Sequence, residues 1–140
     1  MEVQVNVWAV LAATASSMVV GSIWYAQGVF GKVWAKLAKI KVDKANKGNM
    51  AKPIITTLIV SLITAYVLAH VTYLSNQFFQ HTFLHDALLT SFWMWLGFTA
   101  TRFITHDAFE GRPSTLTALN ISHELVTFMV MGLIIGLIGV

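Results

Sequence analysis

The sequence predicts an all-α, polytopic membrane protein: a four-transmembrane-helix bundle with a short amphipathic helix lying on the cytoplasmic interface. Three observations carry that reading. Of 140 residues, 56% are hydrophobic and only 11% are charged, whereas soluble domains average about 25% charged. Residues 3–31 and 53–85 contain no Asp, Glu, Lys or Arg at all, and about 20 apolar residues suffice to span a bilayer core. The nine basic residues are confined to two short segments that flank apolar runs, which is how a membrane protein fixes its orientation.

The first helix is expected over residues 5–28. Met1-Glu2 offers no positive n-region ahead of it, so it reads as a retained span and not as a cleaved signal. Lys32, Lys36, Lys39, Lys41, Lys44, Lys47 and Lys52 follow. Within this basic segment, at about residues 30–52, Phe30, Val33, Trp34, Leu37 and Ile40 repeat at helical spacing, with Lys32, Lys36 and Lys39 on the opposite face. That pattern predicts a helix lying along the inner leaflet. There the three lysines would contact lipid headgroups, each contributing about 1 kcal/mol near an anionic surface, or would simply anchor the first span. A polar linker is expected over 43–50.

The second span is expected over 53–73, the third over 86–105 and the fourth over 114–140, the whole chain forming a single integral membrane domain. Lys52-Pro53 and Arg112-Pro113 mark helix starts, because proline is tolerated in a first turn. The matching aromatic-glycine-basic elements before them, Phe30-Gly31-Lys32 and Phe109-Glu110-Gly111-Arg112, hint at two helix-hairpin halves in parallel orientation. Arg102 and Arg112 join the seven lysines on one side of this arrangement. By the positive-inside rule that side is cytoplasmic, which puts both termini and the 74–85 loop outside the cytoplasm, in a cell (inner) membrane.

Each span carries a polar or small-residue stripe. Thr117, Asn120, Glu124 and Thr127 share one face of the fourth helix, Gly132 and Gly136 suit close helix contact beside it, and Gly21 of helix one is a further packing position. Helix one offers Ala9, Ala13, Ser17, Gly21 and Gly28; helix two Thr57, Ser61 and Thr64; helix three Ser91, Trp95, Thr99, Arg102 and His106. An ionised Glu124 facing hydrocarbon would cost a few kcal/mol even on lenient insertion scales, so it must face protein or water, be protonated, or be paired. Arg102 is the expected partner. His123 points about 100° away on a helical wheel, so the two need not cooperate. Arg102, Asn120, His123, Glu124 and Thr127 are therefore either a buried polar network that fixes helix pairing or the lining of a path for an ion or small solute.

His81, His85 and Asp86, with His70 nearby, have the residue types to gather a metal. No cysteine and no second histidine pair completes a familiar pattern, so neither metal nor other cofactor is expected. The absence of cysteine also excludes disulfides and thiol chemistry. No catalytic motif is present, so an enzyme is not expected, and the placement of the basic residues argues against nucleic acid. The tryptophans and tyrosines read as interfacial belts and packing.

Trp24-Tyr25, Phe30-Gly31, Trp34, Trp95-Leu96-Gly97-Phe98, Phe109-Glu110-Gly111-Arg112-Pro113 and Asn120, in that order and approximate spacing, resemble the short bacterial membrane proteins of domain-of-unknown-function family 1761. The resemblance spans nearly the whole chain and implies four spanning helices with no assigned activity. It supports Asn120, Arg112 and the aromatic-glycine elements. The chain departs from the family pattern after Asn120, where Ser122, His123 and Glu124 stand. The leading expectation is translocation of a small solute or ion, in a proton-coupled form if Glu124 titrates, by a homo-oligomer. The alternative is a structural or accessory membrane protein that binds a partner or anionic lipid.

Overall fold

The computed structural model describes residues 3–40 and 51–139. In chain order the elements are α1 (Val7–Trp24), α2 (Gly31–Leu37), α3 (Ala51–Phe79), α4 (Phe83–Met94), a π-helical stretch (Trp95–Ala100), α5 (Thr101–Phe109) and α6 (Ser114–Ile138), with no strand among the described residues. The expected linker at 43–50 lies outside the described residues.

Asn6 starts α1 by accepting the Trp8 and Ala9 amides on its side chain at 3.0 and 3.4 Å, two donors that a helix start otherwise leaves unpaired. The helix ends at Trp24, short of the expected Gly28. The chain turns back there, with the Phe30 amide donating to the Trp24 carbonyl and the Gly31 amide to the Ala26 carbonyl. Gly31 makes the turn possible: a Cβ at that position would collide with the Tyr25 carbonyl and lie 2.9 Å from the Ala26 carbonyl.

α3 runs six residues beyond the expected end at Tyr73. Its 29 residues measure about 43 Å at about 1.5 Å per residue, longer than a hydrocarbon core of about 30 Å. Neither Pro nor Gly interrupts residues 74–79, so the helix carries on until Gln80 adopts φ 56°. The expected loop at 74–85 thus shrinks to residues 80–82.

The third rod is helical without a break from 83 to 109, but its middle is a π-helix. A π turn holds one more residue than an α turn, so everything after it is rotated by one position. The expected inward series 99, 102, 106 becomes 100, 103, 107: Ala100 and Asp107 are buried and Phe103 is partly so, while Arg102 and His106 are exposed.

The four rods form a square in which α1 packs on α3 and α6, and α4 also packs on α3 and α6, while the α3–α6 diagonal barely touches. Apolar association gains little between helices in lipid, so close contact between small residues must hold such a bundle. Ala9, Ala13, Ala65, Ala69 and Ala87 are all at most 2% exposed. A Cβ on Gly132 would collide with Ser91 and come within 3.0 Å of the Ala87 carbonyl, and one on Gly136 would lie 2.8 Å from Leu84 Cα. Both glycines therefore seat α6 on α4. The shared core of Val10, Ala13, Ala65, Leu68, Ala69, Phe128, Met131 and Ile135 occupies the half of the bundle nearer the α3–α4 hairpin.

α1, α3 and α6 are each long and apolar enough to cross a membrane. Large apolar side chains crowd the outer surface; on α3 alone Ile54, Ile55, Leu58, Ile59, Val60, Leu62, Ile63, Tyr66 and Val67 are exposed. A patch of that extent fits lipid, not water.

Candidate functional site

At the lysine-bearing end of the bundle, α1, α2 and α6 bring together the residues with chemistry to offer. The turn after α1 places Trp24 and Tyr25 against α6. His123 is held between their rings, 5.9 Å from Trp24 and 4.9 Å from Tyr25 by ring centroid. Tyr25 in turn meets Trp34 of α2 edge-on at 5.2 Å, and its hydroxyl donates to Asn120 Oδ1 at 3.3 Å.

His123 Nδ1 lies 3.2 Å from Glu124 Oε1. The helical wheel separates their Cβ directions, but the aromatic clamp swings the imidazole round until it meets its neighbour's carboxylate. Glu124 is thus paired with His123 and not with Arg102. Among the described residues Arg102 makes no ion pair; rotated outward by the π stretch, it lines a cleft with Phe98, Thr99, Phe103 and His106.

Two cavities flank the pair. A vestibule of about 630 Å³ at the basic end is lined by Tyr25, Trp34, Lys39, Arg112, Asn120 and Glu124, among others. A crevice of about 590 Å³ between α1, α3 and α6 is lined by Ser17, Thr57, Ser61, Thr64, His123, Glu124 and Thr127, with apolar neighbours. Tyr25 and Glu124 line both. Thr127 donates to the His123 carbonyl at 3.0 Å, so its hydroxyl is already engaged within α6. Gly21 lies across the crevice wall, where a Cβ would be 3.6 Å from His123 Nε2. That nitrogen and Trp24 Nε1 are buried with no hydrogen-bond partner among the described residues, a condition that costs about 1–3 kcal/mol per group.

Asp107 is a site residue that an α-periodic reading turns away from the bundle. It is buried, accepts from Thr117 Oγ1 at 2.7 Å, lies 3.7 Å from Arg112 Nε and accepts the Arg112 amide on its carbonyl at 2.9 Å. Arg112 also pairs with Glu110 at 2.6 Å, and Gly111 takes φ 66°. The Phe109–Pro113 element is thus a folded turn that joins α5 to α6 at the vestibule rim. Lys32, Lys36 and Lys39 are all exposed on or just after α2.

At the opposite end, the hairpin gathers His81, His85 and Asp86. His70 stays on α3 beside Tyr66, at 6.2 Å between ring centroids, and does not join them.

The sequence profile of DUF1761, a protein family of unknown function, matches residues 8–136. The chain belongs to the DUF1761 family. The match takes in both cavities and the Phe109–Pro113 turn of this DUF1761 member. No curated protein and no solved structure matches the chain.

A carboxylate in contact with an imidazole can exchange a proton with it, and the tyrosine hydroxyl and asparagine amide beside them supply hydrogen-bonding groups for a polar solute. Titratable groups on a spanning helix that line a cavity are a usual mark of an ion or substrate path.

Proposed function

We propose that this DUF1761 member crosses the inner membrane four times with both termini outside the cytoplasm, and that it moves a small solute or ion, coupled to protons through Glu124 and His123. The observation that carries the reading is that Tyr25 and Glu124 line both the vestibule and the crevice. They form the boundary between two spaces on the cytoplasmic half, while the Val10–Ile135 core closes the outer half. A path open on one side and sealed by apolar packing on the other is what an inward-facing transporter requires.

The helical rod at 83–109 serves as the remaining span. At about 1.5 Å per residue it is about 40 Å long, and its charges, Asp86, Arg102 and Asp107, fall near its ends. The crevice is bounded on one side by the start of α3, where residues 51–60 are all exposed. A second copy packed there would complete the wall, which supports a homo-oligomer. No residue is assigned a catalytic role.

Proteoliposomes holding a trapped pH-sensitive dye test this directly. Proton uptake above that of protein-free liposomes is expected, lost in Glu124→Gln, reduced in His123→Asn and retained in Arg102→Gln. Absence of any flux of protons, alkali cations or glycerol would overturn transport in favour of an accessory role in binding a partner or anionic lipid.

A further inference from the structure

The α3–α4 hairpin lies at the far end of the bundle from the crevice and takes no part in the proposed path. Asp86 is 1% exposed, and a buried carboxylate needs compensation of its charge. Among the described residues no lysine or arginine supplies it; the ion-pairing partners are His81 and His85. Both present Nδ1 to the same carboxylate oxygen, Oδ1, at 3.0 and 3.2 Å.

Those separations carry information. Nitrogen and oxygen ligands bind zinc at about 2.0–2.2 Å, which sets ligand-to-ligand edges of about 3.0–3.4 Å in octahedral to tetrahedral geometry. The two histidine–aspartate edges already have that length. One donor atom from each of the three residues lies within 4.8 Å of the others, and both histidines are more than half exposed, so the cluster is open to an ion arriving from solvent.

The surroundings hold the group in place. Asn76 Nδ2 donates to Asp86 Oδ2 at 2.8 Å and to the His81 carbonyl at 2.9 Å, fixing the carboxylate and the loop together. Phe79 stacks on the His81 ring with planes 8° apart. Gln80 adopts a left-handed φ of 56°, an uncommon conformation for a residue with a Cβ, and this bend brings His81 back over Asp86.

We infer that His81, His85 and Asp86 form a binding site for a first-row divalent transition-metal ion, best matched by Zn²⁺. Imidazole and carboxylate donors suit such ions. Three protein ligands leave a coordination position open to solvent, and Asn76 acts as the outer support that orients the carboxylate.

Isothermal titration of the detergent-purified chain, free of any polyhistidine tag, with ZnCl₂ and separately with MgCl₂ decides the matter. One Zn²⁺ per chain is expected, with no Mg²⁺ binding. His81→Ala and His85→Ala should each abolish binding, and His70→Ala should leave it unchanged. Asn76→Ala should weaken it by about 10–100-fold, the usual effect of losing an outer-shell partner. Melting curves of the metal-free variants establish that they are folded. No Zn²⁺ binding by the wild-type chain, or binding that survives in both folded histidine variants, would overturn the assignment and leave the cluster as a hydrogen-bonded helix start.

Discussion

The indole Nε1 of Trp95 donates to the carbonyl of Ile121 across 2.9 Å, which ties the first residue of the π-helical stretch to the first third of α6. An indole N–H in a low-dielectric interior needs a partner, and this one is supplied by a neighbouring helix. Trp95→Phe removes the donor while keeping an aromatic ring. A loss of about 1 kcal/mol is expected from the hydrogen bond alone, seen as a lower melting temperature in detergent; unchanged stability would mean that the bond does not anchor the stretch.

The extra residue in that stretch is itself testable. Gly97 has nothing within 4 Å of where its Cβ would be, so deleting it removes no side-chain contact but returns the rod to α-helical phase. The deletion takes out the one residue that the π turn adds, so Ala100, Phe103 and Asp107 keep their inward places on an unbroken α-helix and Asp107 keeps its hydrogen bond with Thr117. Thermal unfolding of the deletion variant should therefore give a melting temperature no lower than the parent's. A loss of about 3 kcal/mol or more, the scale of exposing a paired buried group and burying an unpaired charge, would show that the π turn is not a one-residue insertion in the rod.

Three glycines on α1 and α6 make a sharp comparison. Gly132→Ala drives a methyl into Ser91, and Gly136→Ala drives one against Leu84 Cα, whereas Gly21→Ala finds ordinary contact with His123 at 3.6 Å. Overpacking costs about 1–3 kcal/mol, while Ala gains about 1 kcal/mol over Gly in a helix interior. Thermal unfolding should therefore show Gly132→Ala and Gly136→Ala destabilised and Gly21→Ala neutral or slightly stabilised. Equal losses at all three would contradict the packing described.

How far the sequence could be read depends on the kind of signal. Charge-free runs, the Asn120–Glu124–Thr127 face and the pairing of Gly132 with Gly136 follow from composition and the 3.6-residue period, and both glycines lie where a Cβ would meet α4. Periodicity misplaces Arg102 because it assumes an uninterrupted α-helix; nothing in Trp95–Ala100 announces an extra residue except the aromatic-glycine cluster itself. A helical wheel separates His123 from Glu124 for a related reason, since it places Cβ atoms, whereas the imidazole is steered by Trp24 and Tyr25 from outside α6. Asp86 and His81 meet through a left-handed Gln80, a conformation that the sequence around it does not advertise.

The lack of cysteine makes the closed and open halves of the bundle directly measurable. Thr57 and Ser61 line the crevice, whereas Ala69, about two to three turns further along the same helix, is 2% exposed within the core. Single Thr57→Cys and Ser61→Cys variants in inside-out membrane vesicles should react with a charged, water-soluble thiosulfonate reagent, and Ala69→Cys should not. Lys36→Cys, on the exposed face of α2, should react in the same vesicles and be protected in intact cells, which fixes the side. Equal labelling of all three α3 positions would mean that water passes the core. Protection of Thr57 and Ser61 together with reaction of Lys36 would mean that the crevice is filled by lipid or by a second copy, and a path for polar solutes through this face could not then exist.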